Sequence, residues 1–395
     1  MAAHFKYIVI GGGMMGAAAA RHLSQRVDGV ALIGPGEPAD YRSHDGVFAS
    51  HYDEARITRR FDADPLWASV AQRAIDRYRE IEEGSGIRFF SEAGCLFAGP
   101  EPRSHADYLQ RATDVATSTG LEIERLTSGE LQSRFAQFDF PSHLIGYHEL
   151  SRAGHINPRA LVRAQIALAK RGGATVLDAH ATSVREEGGR VEVIAGGETF
   201  HADRVLVAAG AFSNLNALLP RPLQVRAAPR TVVFFELDEQ AMTVFGTMPS
   251  TIVFTEREED HVYILPPVRY PDGKTYLKLG GDIETGDLAR PEEFRAWFGS
   301  DGNPEERQRL VDTALQLMPA LKGRPTSSAA CVATFTPTGR PYAGFVESSR
   351  IAVLTGGNFV AAKSSDELGR LGSFLLLEGG LSEDDYGSLM TPLFR

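Results

Sequence analysis

The sequence is poor in the residues that mark several large classes of protein. It has two cysteines in 395 residues, Cys95 and Cys331, too few for a disulfide framework or a cysteine metal cluster. This scarcity is typical of a reducing compartment, so we expect a cytoplasmic protein. No apolar run approaches the roughly 20 residues of a membrane-spanning helix, and no signal-peptide pattern precedes the first strand. We therefore expect no membrane association.

An excess of positive charge is also missing. The chain has 41 Lys and Arg against 51 Asp and Glu, a net charge of −10, and no basic block, which disfavours nucleic acid as a partner. The hydrophobic content of 43% and charged content of 23% are typical of soluble globular enzymes. Because 395 residues exceed one ordinary core, two domains are expected. A small molecule is the expected partner.

A glycine-rich turn near the N-terminus is the most informative motif. Residues 7–10 are β-branched and aromatic, which predicts a buried strand, and G-x-G-x-x-G follows directly at residues 11–16. Gly11 permits the tight turn. The missing Cβ of Gly13 lets the backbone approach a pyrophosphate, and that of Gly16 lets the next helix pack on the strand. The strand, turn and helix order therefore predicts dinucleotide binding.

The helix predicted over residues 17–23 would offer the free N–H groups and partial positive charge of its N-terminus to phosphates. One part of the dinucleotide pattern is missing, because Gly34 ends the second strand where an Asp or Glu normally holds the ribose. Three alternatives remain open: Glu37 reaches back, backbone and water replace the contact, or Arg42 recognises a 2′-phosphate. The alternative to dinucleotide binding itself is a glycine-rich turn without a ligand, which the three adjacent glycines disfavour.

The remaining elements predict a nucleotide-binding domain that is interrupted by a second domain. After the first β-α-β unit, the same pattern returns with a helix opened by Asn157 and a hairpin over residues 181–195. Between these segments the sequence is typical of antiparallel strands. We therefore expect an α/β fold (α+β overall) with one discontinuous domain of residues 1–85, 150–220 and 325–395, and a second of residues 86–149 and 221–324.

Two arginines follow a long polar loop. Residues 54–61 predict a short helix with Asp53 as its N-cap. Arg56 and Arg59 would then share one face of that helix. They are either two solvated side chains or a pair of fixed cations beside the nucleotide, since Arg suits carboxylate recognition.

Two lysines lie in regular elements where their charge needs an explanation. In a strand predicted over residues 275–279, Lys278 shares a face with Tyr276, and such a lysine ordinarily faces solvent. Lys363 lies in the first turn of a helix predicted over residues 362–377, where a cation opposes the helix dipole. That unfavourable position favours a role such as binding an anion.

Together these motifs resemble a known family, the flavin-dependent amine oxidases of the D-amino acid oxidase superfamily, and in particular the monomeric sarcosine oxidases and N-methyltryptophan oxidases. The resemblance covers essentially the whole chain and is loose outside its motifs, whose order and spacing are specific. Besides the glycine turn, the motifs are Ser50-His51, Arg56-Ile57-Thr58-Arg59, Asn157-Pro158, Ala208-Ala209-Gly210-Ala211, Tyr263 with Pro266, Leu277-Lys278-Leu279-Gly280, Cys331, and Gly356-Gly357 with Lys363-Ser364.

The resemblance implies a glutathione-reductase-type Rossmann FAD-binding domain with an interleaved antiparallel-sheet substrate domain, in a monomeric oxidoreductase. The implied reaction oxidises the C–N bond of an amino acid, such as an N-substituted glycine-like amine, to an imine that hydrolyses, while O2 becomes H2O2. A dehydrogenase of the same fold that uses another electron acceptor or a partner subunit is the main alternative. An NAD(P)-dependent reductase and a flavin-binding subunit without catalysis are two others.

The resemblance also implies roles for single residues. Lys278 matches the lysine that promotes the reaction of the flavin with oxygen, Arg56 an arginine near the flavin ring, and Tyr263 a tyrosine of the substrate cavity. Arg59 and Lys363 match the pair that grips the substrate carboxylate.

Tyr52, Asn358 and Asp282 occupy positions that line the substrate cavity in members of the family. At all three, members of the family often carry other residues, and Asp282 replaces a histidine that often follows the lysine. Cys331 matches a cysteine joined to the flavin by a thioether, and an unbonded thiol is the alternative. The implied FAD-binding positions are Gly11, Gly13, Met14, Met15, Gly16, Ser50, Val184, Ala209, Gly210, Cys331, Gly356, Gly357, Phe359 and Lys363.

Overall fold

Three β-sheets and their covering helices form the structure, a computed structural model that describes residues 3–38, 40, 42–50, 52–255, 257, 260–281, 286–382 and 386–395. Within these residues the strands are β1 (Ala3–Ile10), β2 (Val30–Ile33), β3 (Arg56–Thr58), β4 (Phe90–Ser91), β5 (Cys95–Pro100), β6 (Glu124–Leu126), β7 (Leu144–Glu149), β8 (Gly154–Ile156), β9 (Thr175–Leu177), β10 (Ala181–Glu187), β11 (Arg190–Ala195), β12 (Glu198–Val207), β13 (Arg226–Leu237), β14 (Ser250–Val253), β15 (Val262–Arg269), β16 (Thr275–Gly281), β17 (Thr326–Phe335), β18 (Tyr342–Phe345) and β19 (Ile351–Thr355).

The α-helices of the described residues are α1 (Met14–Ser24), α2 (Pro65–Asp76), α3 (Tyr78–Ser85), α4 (Tyr108–Thr119), α5 (Ser128–Arg134), α6 (Pro158–Arg171), α7 (Glu239–Phe245), α8 (Pro291–Phe298), α9 (Pro304–Leu317) and α10 (Ser365–Glu378). His51 and Asp282, which the sequence singles out, lie outside the described residues.

The first sheet has the parallel pairing expected of a nucleotide-binding domain. Its order is β10-β11-β12-β1-β2-β9, with β19 beside β12 and β18 beside β19. β1 pairs in parallel with both β12 and β2, and β12 with β19, while β10, β11 and β12 are antiparallel. Strands buried on both faces explain the apolar runs at residues 7–10 and 204–209. The predicted hairpin is confirmed.

The second sheet has the order β17-β13-β16-β15-β14-β5-β7-β6 and is antiparallel except where β14 pairs with β5. Its strands come from residues 95–149 and 226–335. One face packs against α9 through a core that includes Leu277, Leu279 and Leu310. β17 pairs with β13 in this sheet, although its residues lie in a range that the sequence assigns to the nucleotide-binding domain. β17 therefore brings that segment to the interface between the two sheets.

The helix predicted over residues 54–61 is wrong. Arg56–Thr58 forms β3, which pairs antiparallel with β8 in a three-stranded sheet completed by β4. The β-branched Ile57 and Thr58 suit a strand. Asp53 does not cap a helix, because its carboxylate accepts hydrogen bonds from the next backbone N–H and from distant side chains. Arg56 and Arg59 consequently do not share a helix face.

Arg77 separates α2 from α3. Its guanidinium reaches α10, where Nε donates to Asp366 at 2.6 Å. Asp366 is fully buried and also accepts from Arg21 of α1 at 2.7 Å and from Gln165 of α6 at 2.8 Å. One carboxylate therefore joins α10 to the helices that cover the first sheet.

We expect the contact between α1 and α10 to tolerate no added side-chain volume. A Cβ at Gly369 of α10 would lie 2.4 Å from Ala18 Cβ and 2.7 Å from Ala19 N in α1. Gly369→Ala should lower the free energy of unfolding by about 1–3 kcal/mol through overpacking, although Ala favours a helix by about 1 kcal/mol over Gly. Thermal unfolding of the purified protein measures the effect.

Gly129→Ala in α5 is the matched control, because a Cβ there meets nothing within 4 Å. It should leave the unfolding midpoint unchanged or raise it slightly. Equal effects of the two substitutions would contradict close packing of α1 on α10.

Candidate active site

The glycine turn forms a cradle that side chains would fill. Gly11 has a φ of +110°, and a Cβ there would lie 2.3 Å from Ala208 O. A Cβ at Gly16 would lie 1.9 Å from Gly11 O. α1 begins after Gly13 with no side-chain cap and no acidic residue in its first turn, so its first N–H groups are left for an anion. The turn therefore fits the pyrophosphate of a dinucleotide.

The end of β2 explains why no acidic residue stands there. A Cβ at Gly34 would lie 2.5 Å from Gly12 N, so the glycine turn occupies the space of a side chain. Of the alternatives for the ribose, Glu37 is ion-paired with Arg159 and Arg42 with Asp301. Both side chains thus have partners of opposite charge within the protein.

A cavity of about 490 Å³ extends from the glycine turn between the first and second sheets, a volume typical of small-molecule and cofactor sites. Most of the implied site residues line it. From the first sheet and its loops come Gly11, Gly13, Met14, Met15, Ala209, Gly210, Gly356, Gly357, Phe359 and Lys363; from the 50–59 segment come Ser50, Tyr52, Arg56 and Arg59; from the second sheet come Tyr263 and Cys331.

Lys278 lies directly behind this lining, 1% exposed, and does not face solvent. Its Nζ donates to Asp53 Oδ2 and to Ala55 O, each at 2.5 Å, and lies 5.9 Å from the ring centre of Tyr263. Burial lowers the pKa of Lys278 to about 8, although the charge of Asp53 opposes the shift. Burial alone would raise the pKa of Asp53, but Lys278 and Arg56 outweigh it and lower the pKa to about 2. The pair is therefore ionised at neutral pH.

Arg59 and Lys363 meet at a second carboxylate, Asp62. Asp62 Oδ2 accepts from Lys363 Nζ at 2.5 Å and from Arg59 at 2.9 Å. Burial, followed by the charge of Arg59, lowers the pKa of Lys363 to about 8. Burial alone would raise the pKa of Asp62, but the two cations outweigh it and lower the pKa to about 2. This cluster carries one net positive charge, where the two cations alone would carry two.

Aromatic rings surround the second cluster. The Arg59 guanidinium lies 4.9 Å from the ring centre of Phe97 and donates to the hydroxyl of Tyr108 at 3.2 Å. Phe254 packs against Tyr108 at 5.1 Å between ring centres, and all three rings line the cavity. This end of the cavity therefore combines an aromatic wall with the charged cluster, and His261, 5.0 Å from Phe254 between ring centres, also lines it.

Three implied positions, Val184, Asn358 and Gly16, do not line the cavity, and a fourth, Tyr52, lines it near the nucleotide turn. Val184 does not line the cavity; its N–H donates to Ala217 O at 2.8 Å and its side chain is buried in the sheet. Asn358 does not line it either. Its side-chain oxygen accepts a hydrogen bond from Thr336 N at 3.0 Å, and its side-chain nitrogen donates to Gly356 O. Gly16 packs behind the turn. Tyr52 donates to Gly36 O at 3.2 Å, in the loop after β2, which places it beside the nucleotide turn.

Sequence reasoning missed Asp62, Tyr108 and Tyr270, whose hydroxyl donates to Asp53 at 2.8 Å. Asp62 lies three residues after Arg59, and that spacing of opposite charges was the available signal. Nothing local in the sequence links Tyr108 or Tyr270 to the cavity. Among the described residues, no group of three or more His, Cys, Asp or Glu is placed to hold a metal ion, and no helix is both long and apolar enough to cross a membrane.

We expect Gly34→Asp to weaken FAD binding, even though it supplies the acidic residue of the usual pattern. The new Cβ would displace Gly12 and with it the turn that faces the pyrophosphate. The dissociation constant for FAD should rise at least about tenfold, or about 1.4 kcal/mol, measured by titrating the flavin-free protein. Gly380→Asp is the control, because a Cβ there meets nothing within 4 Å. Tighter binding by Gly34→Asp would refute the steric explanation.

Three comparisons with known proteins agree with this site. A family model described as FAD dependent oxidoreductase matches residues 6–373. Monomeric sarcosine oxidase of Bacillus sp. (strain NS-129) is 27% identical over 342 residues, 85% of this chain and 83% of that protein. N-methyl-L-tryptophan oxidase of Yersinia pestis (strain Pestoides F) is 25% identical over 218 residues, 55% of this chain and 56% of that protein.

Among solved structures, NikD, an unusual amino acid oxidase essential for nikkomycin biosynthesis, has the same fold. The match has a TM-score of 0.81 at 18% identity and covers 100% of this chain and 98% of NikD. The mixed α/β fold expected from the sequence is thereby confirmed, as is the resemblance. The family match spans most of the chain, and the glycine cradle fits the cofactor. The chain therefore belongs to the family of FAD-dependent oxidoreductases: it is an enzyme, and FAD is its cofactor.

Proposed function

We propose that this enzyme oxidises the C–N bond of an amino acid, in particular a secondary, N-substituted glycine-like amine, and passes the electrons to oxygen. The observation that carries the proposal is the meeting of Arg59 and Lys363 at one cluster of the FAD cavity. Such a cation pair suits a substrate carboxylate. The similarity to sarcosine and N-methyltryptophan oxidases and to NikD supports the same reaction class. The similarity to monomeric sarcosine oxidase supports a monomer.

Asp62 limits how a substrate carboxylate binds. Because Asp62 already accepts hydrogen bonds from both cations, the entering carboxylate shares Arg59 and Lys363 with an internal anion. The cluster therefore attracts the substrate with one net positive charge. This favours a substrate that has one carboxylate over a substrate that has two. Phe97, Tyr108 and Phe254 present apolar surface beside it, so the rest of the substrate gains free energy by being hydrophobic or aromatic.

Held by the glycine turn of Gly11 and Gly13, FAD would supply the two-electron oxidation of the amine to an imine, with O2 as the final acceptor that becomes H2O2. The chain itself holds the substrate by its carboxylate and so fixes the amine in one orientation. It excludes water from the cavity with the aromatic wall. The imine product takes up one water molecule and separates into a carbonyl compound and an amine.

The Lys278 cluster supplies a fixed positive charge for the reaction with oxygen. Arg56 lines the cavity, and Lys278 lies immediately behind it. A preorganised cation stabilises negative charge that develops on oxygen, and it does so most strongly where water is excluded. Lys278 is buried and Arg56 is partly buried, and Asp53 holds both side chains, so their charges need no rearrangement during the reaction.

Cys331 is our candidate for a covalent link to the flavin. Its sulfur lines the cavity and accepts a weak hydrogen bond from Arg56 at 3.6 Å. The other cysteine, Cys95, is fully buried, and burial raises the pKa of its thiol to about 12, which makes it the poorer candidate.

A dehydrogenase of the same fold is the alternative, with the same substrate chemistry and a different electron acceptor. It differs in one measurable respect, because its reduced flavin would persist in air. The NAD(P)-dependent reading has less support, because Arg42, the residue considered for a 2′-phosphate, is paired with Asp301 at 3.0 Å.

We expect only carboxylate-bearing amines to bleach the purified yellow protein under anaerobic conditions. The test set contains sarcosine, larger and aromatic N-methyl amino acids, N-carboxymethyl amino acids and D-amino acids, each beside the matched amine without a carboxylate. Arg59→Gln should raise the half-saturating concentration of an active substrate by about 30-fold or more, the about 2 kcal/mol lower limit for truncating a buried charge pair. Equal bleaching by amines without a carboxylate would overturn the proposed role of the cluster.

Lys278→Met should slow the reaction of the reduced enzyme with oxygen by about 10²–10³-fold, the typical effect of removing one preorganised electrostatic group. Flavin reduction by substrate should change far less. Stopped-flow absorbance measures the two half-reactions separately. Lys274→Met, which removes a half-exposed lysine at the end of the same strand, is the control. Unchanged rates of both half-reactions in Lys278→Met would show that oxygen is activated elsewhere.

A further inference from the structure

The carboxylate of Asp53 is the centre of a buried hydrogen-bond network. Its Oδ2 accepts from Lys278 Nζ and Arg56 Nη1, both at 2.5 Å. Its Oδ1 accepts from the Tyr270 hydroxyl at 2.8 Å and from Glu54 N at 2.7 Å. The side chain is only 8% exposed. Asp53 therefore uses both oxygens within the protein and reaches three side chains on separate segments.

The segment before β3 holds the Lys278 ammonium at two points. One is Asp53 Oδ2, and the other is the carbonyl oxygen of Ala55, two residues later, also at 2.5 Å. Because Lys278 is a residue of β16 in the second sheet, this contact joins that sheet to the segment that carries Arg56. The ammonium is thereby fixed where this segment meets the second sheet.

The other groups that face Lys278 do not stabilise its charge as Asp53 does. Arg56 repels it. His155 of β8 has its pKa lowered to about 4, by burial and then by Lys278, so it is neutral. Tyr263 offers the face of its ring, and Cys331 a thiol. Asp53 is thus the carboxylate in hydrogen-bonding contact with the ammonium.

We propose that Asp53 is a positioning residue that fixes the Lys278 ammonium behind the cavity wall and keeps it protonated, and so sets the upper pH limit of the reaction with oxygen. This inference rests on the proposed function, because it assigns to Lys278 a role in that reaction. Asp53 itself does not line the cavity. It acts through Lys278 and touches neither substrate nor oxygen.

The direction of the effect follows from the charges. Lys278 loses its proton as the pH rises through its pKa of about 8, so the wild-type reaction should slow above that pH. Without the carboxylate, burial and Arg56 both favour the neutral amine. The pH midpoint of Asp53→Asn should therefore lie about 1–3 units lower, the usual effect of one close opposite charge.

The experiment measures reoxidation of the holoenzyme without a substrate. Enzyme reduced by dithionite is mixed with air-saturated buffer between about pH 6 and about pH 10, and the rate constant is followed by flavin absorbance. We expect a midpoint near 8 in the wild type and a lower one in Asp53→Asn. Asp53→Glu, which keeps the charge, should return the midpoint toward the wild-type value. Lys278→Met should show no midpoint in this range.

A control tests for a general effect of losing a carboxylate near a lysine. Glu236 of β13 binds Lys274 at 2.7 Å at the exposed end of the same pair of strands, and Glu236→Gln should leave the midpoint unchanged. An unchanged or higher midpoint in Asp53→Asn would overturn the proposal. So would persistence of the wild-type midpoint in Lys278→Met, because the titrating group would then be another residue.

The failure of the proposed function is distinguishable from the failure of this inference. A wild-type enzyme that stays reduced in air would refute the oxidase reaction. In that case the titration of Lys278 is followed in the oxidised enzyme, because the absorbance of the oxidised flavin responds to a nearby charge. If Asp53→Asn does not retain FAD, Tyr270→Phe replaces it. Loss of that donor leaves more of the Asp53 charge to Lys278, so the midpoint should rise, and a lower midpoint would overturn the proposal.

Discussion

Buried positive charge is the constraint on which the rest of the cavity depends. Two arginines and two lysines lie within one wall, and an unpaired buried ion costs several kcal/mol. Asp53 and Asp62 compensate these positive charges in the same way. One oxygen of each carboxylate accepts hydrogen bonds from an arginine of its own segment and from a lysine that is distant in the sequence. The short pairing of β3 with β8 holds that segment in place. Each carboxylate thus connects the fold to the chemistry of the site.

Local chemistry made the nucleotide-binding half predictable. A glycine at position 11 is required by its positive φ and by the approach of Ala208, and both requirements are visible as a motif. The helix assigned to residues 54–61 failed for the opposite reason. Asp53 has the local properties of an N-cap, but its partner Lys278 lies 225 residues away. A charge pair over that separation overrides a preference worth about 1 kcal/mol.

The missed and misplaced residues share a physical cause. Family resemblance pointed to Arg59 and Lys363, but it did not identify Asp62, because the pairing exists only once the 3-10 turn at Ala361–Ser364, directly before α10, packs beside the segment that follows β3. Asn358 and Val184 occupy matching positions in the sequence, yet their polar groups are satisfied by neighbouring backbone. At Gly34 the sequence lacks the acidic residue that usually binds the ribose. The structure explains this absence, because Gly12 N lies too close for any side chain at position 34.

The order in which the site residues occur along the chain has a consequence for biosynthesis. The glycine turn leaves the ribosome first, whereas Lys363 and α10 follow only near the end of the 395-residue chain. Until that segment is made, Asp62 lacks one of its cations and α1 lacks the helix that packs against it. The wall of the cavity therefore closes only after residues 361–378 have been synthesised, however early the glycine turn emerges.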